Sequence, residues 1–173
     1  ATERIRAELP ALWTRLDIRT VLDAPCGDYH WFGRIPRERG PSYVGGDIVE
    51  ALVEENRRRY ADERTAFQVL DIVRDPLPEA DFWLCRDGLF HLPTADVMAA
   101  LRNFARSRIG YLCTTIHPDC RRNTDIGAGG FRRLNLERPP YRLGPPAARI
   151  DEDRVEGHPD RQLALWRRAD VER

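Results

Sequence analysis

The sequence predicts an α/β fold with a doubly wound, mainly parallel sheet, and three observations predict it. Short apolar runs alternate with stretches of helical period, the pattern of right-handed βαβ units. Three of the first four runs close on an aspartate, at Asp23, Asp47 and Asp71, and the fourth is followed by Arg86-Asp87. Past Ile116 the alternation stops, so the last part should be irregular, with one late antiparallel strand.

The elements follow in order. Ile5, Leu9, Leu12, Trp13 and Leu16 recur at helical spacing, and Pro10 should kink that helix or divide it. Thr20 to Ala24 reads as a strand running into a Pro25-Cys-Gly-Asp28 turn. A second strand is expected at Tyr43 to Asp47 and a helix from Ile48 to Tyr60. Phe67 to Asp71 and Asp81 to Cys85 read as the third and fourth strands. Val97, Leu101 and Phe104 mark a helix with Thr94 as its N-cap, and Gly110 to Ile116 is the fifth strand. The stretch 117–146 is polar and carries Gly and Pro without helical period. Leu163 to Asp170 is expected as a strand at or near an edge.

Residues 1–173 suit one domain with one core. Arginine supplies all 28 basic side chains, balanced by 28 acids, so no Lys-based Schiff-base chemistry is available and no general pull on nucleic acid or anionic membranes is expected. Nothing in the sequence is long and apolar enough to span a membrane. Cys85 and Cys113 lie in apolar runs and no CxxC occurs, which points to buried thiols and a reducing, cytoplasmic setting. No cluster has metal-ligand spacing, so no metal is expected.

In an open parallel sheet, ligands sit at the carboxyl ends of the strands, where the strand-end carboxylates collect. Gly27 allows close approach of backbone, and Asp47, 24 positions after Asp23, suits ribose hydroxyls. The GxGxxG that cradles a pyrophosphate is missing, and Tyr29 and His30 fill the turn. A ligand with a ribose and no phosphates fits that turn better than a dinucleotide.

Val21-Leu-Asp-Ala-Pro-Cys-Gly-Asp28 resembles the first motif of class I S-adenosylmethionine-dependent methyltransferases. Tyr43 to Asp47, Leu70-Asp71-Ile72 and Phe82 to His91 are similar to the next three, so the likeness spans about residues 18–116. The Asp-x-Pro-Cys-Gly-Asp motif with Trp31 three residues on resembles a small bacterial branch of that family. The resemblance implies that Asp23, Pro25, Cys26, Gly27, Asp28 and Trp31 surround the methionine end of S-adenosyl-L-methionine. It also implies that Asp47 holds the ribose, that Ile48, Asp71 and Ile72 hold the adenine, and that Arg86 and Asp87 stand beside the sulfonium and the acceptor. Pro25 and Tyr29 depart from the family's glycines, and the tail has no clear helix before its last strands.

His91 is the first candidate for a general base, with Asp87 beside it, and His117 is the second. His117, Asn123 and Arg132 are candidates for acceptor binding; His30 and His158 are expected to be structural or solvated. Trp13 and Trp31 read as core ahead of substrate-stacking groups. The expected activity is methyl transfer to an oxygen or nitrogen of a small polar metabolite, sugar or natural product, by a monomer or homodimer. The competing readings are a non-catalytic protein that binds S-adenosylmethionine or S-adenosylhomocysteine, and a nicotinamide-dependent oxidoreductase.

Overall fold

The structure, a computed structural model, describes residues 2–37 and 40–171. Seven strands form one sheet in the order β3-β2-β1-β4-β5-β7-β6. They are β1 (Thr20–Asp23), β2 (Ser42–Asp47), β3 (Thr65–Val69), β4 (Phe82–Cys85), β5 (Tyr111–Ile116), β6 (Ala148–Asp151) and β7 (Gln162–Arg167). Pairing from β3 through β5 is parallel, and β7 runs antiparallel to both β5 and β6. Order therefore reverses between β1 and β4, the place where such sheets open a crevice at their carboxyl edge.

Successive side chains of a strand point to opposite faces, and the two cores follow that alternation. Val21, Phe82, Leu84, Cys113, Leu163 and Leu165 face one core with α1 (Glu3–Arg15) and Val53 of α2 (Glu50–Tyr60). Leu22, Trp83, Cys85, Leu112, Ala164 and Trp166 face the other with α3 (Thr94–Arg106), Leu134, Leu136 and Tyr141. Every residue of β4 is buried, as a central strand covered on both sides requires.

Several expectations need correction. Pro10 does not divide the first helix: α1 is continuous across it, and the Thr14 hydroxyl donates to the Pro10 carbonyl at 2.9 Å. β3 ends at Val69, so Asp71 lies in the following turn, and α2 starts at Glu50, leaving Ile48 in the connection. Thr94 is not the cap of α3; its N–H is capped from a distance by the Asp125 carboxylate at 2.7 Å. The late strand stops at Arg167, where a short helix α4 (Arg168–Val171) takes over, and β6 covers its outer side. β6 itself escapes the sequence reading, since only Ile150 among its four residues is buried.

Between β5 and β6 the described residues form no helix. Packing and side-chain hydrogen bonds order this segment instead, with Leu134, Asn135 and Leu136 all buried. Among the described residues no helix is long and apolar enough to cross a membrane.

Candidate functional site

The turn after β1 takes its shape from two neighbours. Gly27 has φ +56°, and a side chain there would be strained. Its N–H donates to Asp47 Oδ2 at 3.1 Å, and its carbonyl accepts from Asn56 Nδ2 of α2 at 2.7 Å. Tyr29 also adopts a left-handed backbone, φ 60°, and its ring turns inward against Phe32, Tyr43, Tyr60 and Phe67. Its hydroxyl accepts a hydrogen bond from Arg37 at 2.7 Å. The left-handed conformation costs a non-glycine residue about 1–2 kcal/mol, which burial of the ring offsets. Tyr29 therefore stands where a glycine was expected without filling the cleft. Asp28 is exposed at the rim and accepts the His30 N–H at 3.1 Å.

Asp23 is 1 % exposed. Its Oδ2 accepts from the Tyr43 hydroxyl at 3.0 Å, while Oδ1 has no partner. Burial pushes its carboxyl up to about 8, against the Tyr43 hydrogen bond and the positive charge of Arg86. Asp47 accepts from the N–H groups of Gly27 and Val49, both at 3.1 Å, which leaves a lone pair on each oxygen. Cys26 is buried, and burial raises its thiol so that it stays protonated.

Beside this turn lies a mainly apolar cavity of about 220 Å³, lined by Pro25, Ile48, Leu70, Ile72 and Leu92, with Asp71, Asp87 and His91 also in its wall. Gly88 lets two loops meet there, because a Cβ on it would come within 2.6 Å of the Pro25 ring. Asp71 closes its own turn: one oxygen accepts the Val73 N–H and the other Arg74, both at 2.9 Å. The sequence thus places Pro25, Ile48, Asp71, Ile72, Asp87 and His91 around one space.

An ionic network extends from β4 to the β6–β7 connection. Arg86 donates to Glu152 at 2.7 Å and lies 3.1 Å from Asp87. Arg161 reaches both Asp87 oxygens at 3.0 Å and stands 3.6 Å from Glu152. The Trp31 ring supports the Arg86 guanidinium from 5.1 Å, so Trp31 is half-buried scaffolding for Arg86. Asp87 also has a left-handed backbone, φ 54°, with its N–H donating to Thr115 Oγ1 at 2.9 Å. Two guanidinium groups hold this carboxylate, an arrangement that suits positioning better than proton removal. Burial raises the Glu152 carboxyl, opposed mainly by Arg86. Sequence reading missed Glu152 and Arg161, because the run Asp151-Glu-Asp-Arg154 looks like a solvated stretch.

The two candidate histidines differ in role. His91 is exposed, and its Nδ1 is 2.8 Å from the Gly130 carbonyl. A carbonyl only accepts, so Nδ1 carries the proton and Nε2 of the neutral ring keeps a lone pair. His117 is fully buried and its Nδ1 accepts the Leu134 N–H at 3.1 Å. Its proton therefore sits on Nε2, which has no partner. Burial lowers the proton affinity of this ring and keeps it neutral. An unpaired buried N–H costs about 1–3 kcal/mol, so a structure that retains one invites an acceptor.

Asn123 and Arg132 do not join this group. The Asn123 amide donates to the carbonyls of Asn135, Arg138 and Pro139, and its oxygen accepts the Asn135 N–H. Arg132 donates to Thr94 Oγ1, the carbonyls of Thr124 and Leu92, and the Tyr141 hydroxyl. Both side chains hold the segment after β5 together. His30 and His158 are exposed, and Trp13 is core. Among the described residues no group of three or more His, Cys, Asp or Glu could hold a metal ion.

No protein-family model matches the chain, and no curated protein does. Solved structures do match. Magnesium protoporphyrin IX methyltransferase from Synechocystis PCC 6803, with bound S-adenosylhomocysteine, aligns at 16 % identity and TM-score 0.68 over 93 % of this chain and 81 % of that one. The methyltransferase domain of bacterial CtHen1-CN aligns at 14 % identity and TM-score 0.69, over 95 % and 97 % of the two chains. The N-methyltransferase NodS from Bradyrhizobium japonicum WM9 aligns at 14 % identity and TM-score 0.64, over 96 % and 98 %. At these identities the likeness is one of architecture: the chain has the Rossmann-like methyltransferase fold.

Proposed function

We propose that the chain is an S-adenosylmethionine-dependent methyltransferase that acts on an oxygen or nitrogen of a small polar metabolite. The observation that carries the reading is the ring of groups at the β1–β4 crevice: an unpaired Asp23 oxygen, the Gly27 turn, the Asp47 carboxylate and the apolar cavity behind them. Solved structures with the same architecture contain S-adenosylmethionine or its product, which supports the choice of ligand.

These groups match the parts of that ligand. The unpaired Asp23 oxygen suits its ammonium, and the free lone pairs of Asp47 suit two ribose hydroxyls. The adenine fits the cavity between Ile48, Leu70 and Ile72. Glu152 and Asp87 offset the charge of Arg86, so the guanidinium does not repel a cationic sulfonium. Bound there, the ligand supplies an already activated methyl group. What remains for the protein is alignment, for which holding the reactants in line accounts for about 7–11 kcal/mol of barrier reduction. His91 Nε2 then takes the proton of the acceptor group, and Asp87 holds the adjoining wall.

Calorimetric titration with S-adenosylhomocysteine, and with NAD in parallel, tests the reading. Micromolar binding of the first alone supports it; binding of NAD alone, or of neither, overturns it.

A further inference from the structure

The connection between β6 and β7 bounds a second cavity, of about 600 Å³, next to Pro118 past the end of β5 and Arg4 of α1. Its wall shares no residue with the Pro25–Ile72 cavity. The His158 N–H donates to the Val155 carbonyl at 3.0 Å, and Gly157 has φ +77°, so the connection turns with Val155 and His158 both in the wall. Arg161 at the start of β7 and Glu152 after β6 complete it on the side of the ionic network.

This wall keeps donors and acceptors that the protein does not use. Arg161 gives Nη1 to both Asp87 oxygens at 3.0 Å, while Nε and Nη2, which share one edge of the guanidinium, make no hydrogen bond among the described residues. Glu152 Oε2 stands 3.6 Å from Nη2, beyond hydrogen-bonding distance, and neither nitrogen is sealed from solvent. Asp153 Oδ2 accepts the N–H groups of Glu3 and Arg4, at 2.7 and 3.4 Å, and Asp160 Oδ2 accepts from Arg154 at 2.9 Å. The Oδ1 of each, like both ring nitrogens of His158, has no hydrogen-bond partner among the described residues.

Charge decides against an ionic ligand. An anion on the free edge of Arg161 would stand close to the Glu152 carboxylate, and a cation would meet Arg4, Arg154 and Arg161 in the same wall. Hydroxyls avoid both costs, and each one donates and accepts, so neighbouring hydroxyls engage a guanidinium edge and carboxylate oxygens together. Pro118, Val155 and Pro159 add apolar surface to the wall, which suits the C–H face of a ring that carries those hydroxyls.

We propose that this cavity binds a sugar-type compound, an uncharged ring with adjacent hydroxyls, held by the Nε–Nη2 edge of Arg161 and by the free acceptors of Asp153, Asp160 and His158. Such binding needs no methyl donor. The Asp87–Arg161 pair is the partition between this cavity, which Arg161 lines, and the one assigned to adenine, which Asp87 lines.

The test titrates the ligand-free full chain with glucose, galactose, mannose, xylose and rhamnose, and with cyclohexanol, putrescine and phosphate as controls. The Arg161 Nε–H and His158 ring signals are followed by NMR. The expected result is that at least one sugar shifts both signals to saturation and binds about tenfold tighter than every control, as hydrogen bonds to charged groups predict. Arg161→Met should abolish that binding. Asp160→Ala and His158→Ala, both on exposed side chains, should each weaken it severalfold without lowering the melting temperature, and they carry the test if Arg161→Met does not fold. No saturable shift with any sugar, tighter binding of putrescine or phosphate at the same signals, or unchanged sugar affinity in both exposed variants overturns the proposal. Titration with S-adenosylhomocysteine reads the methyltransferase assignment separately, so either can fail alone.

Discussion

The Asp23 carboxylate accepts the Tyr43 hydroxyl at 3.0 Å on one oxygen and leaves the other, equally buried, without a partner. Its folded-state pKa lies near 8, raised chiefly by burial from 3.8. The ligand-free folded state therefore holds a proton that the unfolded chain releases, and stability falls as pH rises from about 4 to about 8. Asp23→Asn should flatten that slope: its melting temperature should exceed the parent's by several degrees at pH 8 and converge with it near pH 4. Thermal melts of ligand-free protein from pH 4 to pH 8.5 measure this, and parallel curves would refute it.

Asp47 holds the turn and, on the proposed reading, the ribose as well, so Asp47→Ala should weaken S-adenosylhomocysteine binding more than tenfold. The variant loses ribose acceptors and also releases the Gly27 and Val49 N–H groups. Calorimetry reads the effect, and unchanged affinity would remove the ribose assignment.

His91→Ala should lower turnover by roughly 100- to 10,000-fold, the range for loss of a general base. Its Kd for S-adenosylhomocysteine should weaken far less than turnover falls, because His91 forms only one part of the cavity wall and makes its hydrogen bond to the loop at Gly130. Equal loss of both would mean that His91 works by holding the loop.

Glu152→Gln should cost about 3–5 kcal/mol, since it leaves the Arg86 guanidinium inside the protein with its main partner neutralised. The double variant Arg86→Met, Glu152→Met should recover most of that loss. Urea unfolding of Arg86→Met, Glu152→Met and the double variant forms the cycle. An additive result would show that the two side chains do not depend on each other.

Arg132→Met should destabilise the protein by roughly 3 kcal/mol, because four acceptors lose charged hydrogen bonds in a buried place. Cofactor affinity should stay within twofold. Weakened cofactor binding with unchanged stability would return Arg132 to the ligand site.

The sequence carried the proposed cofactor end of the site clearly, because strand ends in a parallel sheet converge whatever the loops between them do. Asp23 and Asp47 follow from that rule, whereas Ile48 and Ile72 came only with the resemblance to class I methyltransferases. The acceptor end was less legible. β6 has one buried residue and no alternation to reveal it, so Glu152 and Arg161 read as solvated charges. Asn123 and Arg132 sit in a polar, glycine-containing stretch that looks like a ligand wall, yet their amide and guanidinium groups are used to order that stretch in place of a helix. Tyr29 breaks a glycine pattern because its left-handed backbone turns the ring into the core, an outcome no residue count conveys.

The network of Arg86, Asp87, Glu152 and Arg161 has a kinetic consequence. Its hydrogen bonds join residues 66 and 74 positions apart, so the loops that must close before they form are among the longest in the chain. Loop closure of that length is slow to compensate its entropy. The Gly27–Asp47 contact spans 20 residues and Asn56–Gly27 spans 29. Folding should therefore shape the turn at Gly27 first and complete the charged wall last, when β7 pairs with β5. A protein caught between those two events would already have the Asp47-anchored turn while the guanidinium groups of Arg86 and Arg161 still lacked their shared carboxylates.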